Sequence, residues 1–74
     1  MKIDKEVYSR LLNERIQLAE RLEGLSLFLK NKEQYSLINT EQLMLMCTQQ
    51  DIMREYLDVL HQRAKLIKDE IKED

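Results

Sequence analysis

An all-α fold, a two-helix antiparallel hairpin that assembles into an oligomeric helical bundle, is predicted by three observations. The 74 residues include no proline and one glycine, and 35% are charged with both signs mixed, which is the composition of long helices. Apolar residues recur at steps of three and four through both halves of the chain, the period of a helix with one buried face. Between these halves the segment NKEQYSLIN breaks the period and reads as a turn. The chain is expected to be one domain, with helices over about 4–30 and 40–72 and the turn over about 31–39.

The first helix has a start signal in Asp4, whose carboxylate can accept from the free amides of the first turn, and Glu6 suits the positive end of the helix dipole. Its stripe is Val7 or Tyr8, Leu11, Arg15, Leu18, Leu22, Leu25 and Leu29, a spacing near 3.5 residues with one charged member. Leu12, Ile16, Ala19 and Phe28 widen it. Gly24 sits inside this helix at a cost of about 1 kcal/mol relative to alanine. In the turn, Tyr35 and Ile38 are expected to plug the open end of the hairpin. Asn39, followed three residues later by Gln42, is a capping-box variant that starts the second helix. After about residue 72 the charged tail is expected to fray.

The second helix carries two apolar rows. Met46, Met53, Leu57, Leu60, Ala64, Ile67 and Ile71 form one. Leu45, Ile52, Val59 and Leu66 form the other, interrupted by Gln49, Tyr56 and Arg63. One neighbouring helix cannot cover both, and helices of ~40 and ~50 Å laid together make a thin rod with little interior. So short a chain needs a disulfide, a metal or association to compensate. The lone Cys47 excludes an internal disulfide, and Cys47 with His61 cannot complete a four-ligand zinc site. Association remains: a homo-oligomer of at least two hairpins, with Leu18, Leu22, Met46, Met53, Leu57 and Leu60 expected at the interface.

Several function classes are disfavoured. The start, MKIDKEVYSR, has no apolar core after its lysine, so it does not read as a secretory signal. No run approaches the ~18 apolar residues of a membrane span, and a cytoplasmic protein is expected. A net charge of −2 with acids and bases interleaved argues against a DNA-binding stripe. No nucleophile is paired with a base, no glycine loop could hold phosphate, and no ligand set shares one face. The sequence therefore predicts no enzyme, no cofactor and no metal; partners are protein or a small anion.

Folding the chain about its turn sets Arg15 against Tyr56, Tyr8 against Arg63 and Leu22 against Gln49. Guanidinium forks match phosphate oxygens and phenol rings can stack on a base. Tyr8, Arg15, Gln49, Tyr56 and Arg63 are thus candidate contacts for a phosphorylated nucleotide. A purely structural reading stands beside this one. Arg15 and Arg63 can pair with Glu14 or Asp58, Tyr56 can bury its ring, and Gln49 can fix helix register as buried amides do in coiled coils.

The segments ERIQLAERLEGLSLFL and LMCTQQDIMREYLDVLHQR resemble a family of small helical-hairpin proteins of tailed bacteriophages, relatives of a crAss-like phage protein. The resemblance rests on Glu14, Leu25, Phe28 and Leu29 in the first helix, and on Leu45, Met46, Gln49, Met53, Tyr56, Leu60 and Arg63 in the second. Gly24 stands where that family often has lysine. The resemblance implies a phage accessory protein of the host bacterial cytoplasm. By looser analogy it implies an anti-defence sponge that sequesters a cyclic or modified nucleotide messenger without transforming it. The alternative is a coiled-coil adaptor or inhibitor that binds a host or phage protein.

Overall fold

The computed structural model describes residues 5–72. Asp4, expected to cap the first helix, lies outside them, as does the tail beyond residue 72. Among the described residues there is no strand, and the elements are α1 (Lys5–Lys30), α2 (Lys32–Tyr35) and α3 (Thr40–Lys72). The expected turn thus contains a helix of its own. Asn31 explains it: its side chain accepts from the Gln34 amide at 3.4 Å, and Ser36 closes the single turn by donating its amide to the Lys32 and Gln34 carbonyls. Tyr35 and Ile38 are half-buried there.

The start of α3 follows the capping signal. Asn39 Oδ1 accepts from the Gln42 amide at 2.8 Å, satisfying one of the free donors at the helix N-terminus. Glu41 adds a carboxylate to that first turn, where the helix dipole favours it.

The long helices lie side by side in a body 53 × 15 × 14 Å. Gln50 Nε2 donates to Ser26 Oγ at 2.8 Å and Tyr56 Oη donates to Glu14 Oε1 at 2.8 Å. Contacts that descend along α1 as they ascend along α3 mean that the two helices run in opposite directions. The core is Leu11 and Leu18 of α1 with Leu60, Ala64 and Ile67 of α3, and Tyr8, Leu12, Met53 and Leu57 pack against it. It occupies the end away from the connection.

The side chains expected at the interface between copies differ in their burial within one chain. Leu60 is fully buried and Leu18 nearly so within one chain, while Leu22, Met46, Met53 and Leu57 are half-buried. Of the first row of α3, Leu60, Ala64 and Ile67 are buried in the core with α1, and the side chain of Ile71 lies outside the described residues. The second row remains outside: Leu45, Ile52, Val59 and Leu66 are all exposed. Gln49 is exposed as well, and the amide between the helices is its neighbour Gln50.

Candidate functional site

Tyr8 and Arg15 are two turns apart on α1, so both project along the same edge of its core stripe. On the facing edge of α3, His61, Lys65 and Lys68 follow one another at steps of four and three. Together with Ala64 these residues line an open groove of about 270 Å³. Ala64 is buried at its floor.

The groove is cationic. Among the described residues its lining includes Arg15, Lys65 and Lys68 and no carboxylate. Ion pairs of Arg10 with Glu6 at 2.7 Å and of Arg54 with Asp51 at 3.7 Å lie elsewhere. Arg15 and Tyr8 are half-buried, which holds the guanidinium stem and the phenol ring against the core while their polar ends reach the groove. Such a recess can receive an anion through charge-assisted hydrogen bonds from a guanidinium and two ammonium groups. Its volume falls just short of the ~300 Å³ at which small-molecule pockets begin.

Tyr56 and Arg63 lie on the opposite edge of the α3 core row. At 100° per residue, position 56 and position 63 fall to one side of Leu60, and positions 61, 65 and 68 to the other. The Tyr56 pKa is raised, first by its hydrogen bond to Glu14, then by burial and by the Glu14 charge, while Arg63 pulls the other way. The phenol thus serves as a proton donor to a carboxylate across the helix pair. Five residues expected to share one site are divided: Tyr8 and Arg15 line the groove, Tyr56 bonds Glu14 with the Arg63 charge acting on its phenol, and Gln49 stands exposed nearer the connection.

On α3 it is His61, Lys65 and Lys68, in place of the expected Tyr56 and Arg63, that share the groove with Tyr8 and Arg15. Their 4–3 spacing was the available signal, hidden because lysine at helical spacing among acids ordinarily marks a solvated face.

Fold and groove define a small all-helical protein with a recess suited to an anionic group. A family model described as Sequestin matches residues 5–66, and the chain belongs to the Sequestin family. No curated protein and no solved structure matches it.

Proposed function

We propose that this protein binds and sequesters a nucleotide immune-signalling molecule and thereby blocks host anti-phage defence. The observation that carries the reading is the groove itself, with Arg15, Lys65 and Lys68 gathered beside Tyr8 and His61 and no acid among its described lining residues. The cations supply contacts for phosphate oxygens, and the Tyr8 ring offers a face on which a base can stack. The family's name, Sequestin, fits a protein that holds a molecule. Sequestration needs affinity and no chemistry, so the messenger is expected to leave the protein intact. The resemblance to phage helical-hairpin proteins supplies the setting, a phage protein acting in the host bacterial cytoplasm.

Calorimetry against a panel of cyclic dinucleotides and cyclic ADP-ribose-type messengers tests the reading. Arg15→Ala and Lys65→Ala are each expected to weaken binding about tenfold or more with helicity retained. Affinity is expected to fall as salt is raised, because the ligand is anionic and partly exposed. Heat from no messenger with the wild-type protein overturns the proposal, and recovery of a chemically altered messenger overturns the absence of turnover. The exposed row of α3 favours a second reading, a coiled-coil adaptor that binds another protein.

A further inference from the structure

His61 is the single histidine of the chain, and it lines the groove together with Tyr8 and Arg15 of α1 and Lys65 and Lys68 of α3. Imidazole is the side chain that ordinarily changes charge between pH ~5 and ~8. Tyrosine, lysine and arginine ordinarily keep their charge state across that range. The groove thus combines fixed cations with one adjustable group.

An anion distinguishes the two forms of the ring. Neutral imidazole has one N–H donor and one bare nitrogen, whereas the protonated ring has two donors and a positive charge. A phosphate or sulfate group presents oxygen lone pairs on every side. A bare nitrogen turned toward it is repelled, and a protonated one makes a charge-assisted hydrogen bond.

The charged neighbours of His61 make this difference depend on whether the groove is filled. Among the described residues, Lys65 stands one turn after His61 on α3, Lys68 about two turns after it, and Tyr8 and Arg15 face it from α1. In the empty groove a proton on His61 adds a like charge to three cations; beside a bound anion it adds an opposite charge to the ligand. Nearby acids are engaged outside the lining. Asp58, one turn before His61, accepts from Gln62 at 2.8 Å, and Glu14 of α1 accepts from Tyr56 at 2.8 Å. The remaining element, α2, lies at the connection, ~30 Å from His61 along α3.

We propose that His61 couples capture of an anion to uptake of a proton: as the anion settles beside Arg15, Lys65 and Lys68, the ring nitrogen facing it takes a proton from solvent and becomes a charged donor. This coupling rests on the anion groove proposed above and adds a regulation to it. One N–H bond forms for each anion bound, and that proton returns to solvent when the anion leaves. The grip on the anion therefore tightens as the surroundings acidify.

The size of the effect follows from the exposure of the ring. His61 is exposed, so its attraction to a dianion ~6 Å away is weakened by water and screened by salt, and it moves protonation of the ring upward by about half to one pH unit. Linkage is reciprocal: whatever the anion does to proton affinity, the proton does to anion affinity. A shift of that size corresponds to anion binding about three- to tenfold tighter with the ring protonated than with it neutral.

Sulfate is the probe, because its own charge does not change across this range of pH. With one histidine in the full chain, a single pair of ring resonances reports protonation of His61 by NMR, with and without sulfate at matched ionic strength. Sulfate is expected to move that titration to higher pH by about half to one unit. Sulfate affinity, read from the Arg15, Lys65 and Lys68 side-chain resonances, is expected to fall about three- to tenfold from pH ~5.5 to ~8. His61→Gln is expected to remove that difference. Sulfate that binds equally at both pH values and leaves the histidine titration unmoved overturns the coupling while the groove stands. A titration shift that persists in Arg15→Ala with Lys65→Ala overturns it as well, since it then arises outside the groove. Sulfate that perturbs none of the three cations at either pH overturns the groove reading and the coupling with it.

Discussion

Leu60→Ala is the sharpest probe of how the chain is held together. Leu60 has 0% exposure and stands at the centre of a core whose other buried members are Leu11, Leu18, Ala64 and Ile67. Truncation to alanine removes its packing and leaves a void that Ala64, already small, cannot fill. Comparable truncations cost about 2–5 kcal/mol, less where neighbours collapse into the gap. A two-helix interior can relax, so about 3 kcal/mol is expected. Against the roughly 4–11 kcal/mol of total stability expected for a chain of this length, that is a large fraction. It corresponds to a fall in Tm of about 12–24 °C. The assay is thermal and urea unfolding followed by helical circular dichroism, with all proteins at one concentration because association shifts apparent stability. Leu27→Ala is the control, since Leu27 is 60% exposed on α1 and its truncation is expected to cost under about 0.5 kcal/mol. If Leu60→Ala and Leu27→Ala unfold within about 1 kcal/mol of each other, the core is not where the packing places it.

Gly24→Ala is expected to stabilise the protein by about 0.5–1 kcal/mol, because a Cβ there meets nothing within 4 Å; an unchanged or lower urea midpoint contradicts a regular, open helix at that position. Tyr56→Phe removes the hydrogen bond to Glu14 and with it the raised phenol pKa. A group whose pKa is higher folded than unfolded contributes stability below its unfolded value and loses it as pH rises through the folded one. The wild type is therefore expected to lose its advantage over Tyr56→Phe as pH climbs from about 10 upward, and an advantage that persists to strongly alkaline pH counts against the Tyr56–Glu14 bond.

Much of this architecture was legible in the pattern of residues. Leu11, Leu18, Leu60, Ala64 and Ile67 stand in the stripes that the 3–4 spacing marks, and they form the core. Asn39 and Gln42 mark the start of α3, where the cap is found. Asn31 caps a helix of four residues, too short to leave a periodic trace in the sequence. Gln49 and Gln50 show the limit of pattern reading more sharply. Adjacent positions differ by 100° around a helix, and a small shift in how α1 meets α3 decides which of the two amides turns inward. The same shift separated Tyr8 and Arg15 from Tyr56 and Arg63. Residues at the borders of a stripe acquire their neighbours from the packing of two helices, which no single helix encodes.

The uneven placement of the core divides the rod into halves of different tenacity. Among the described residues the five buried side chains lie toward the end away from the connection, while from Leu22 to Met46 the apolar residues are at most half-buried. Amide hydrogens flanking the connection are therefore expected to exchange with deuterium through partial openings. Those around Leu60 and Ile67 exchange only when the entire chain unravels. The groove lies on that slower half. Under the proposed function, an anion in the groove would be held by backbone that stays closed while the far end breathes, and the rate of its escape would be set by its own contacts.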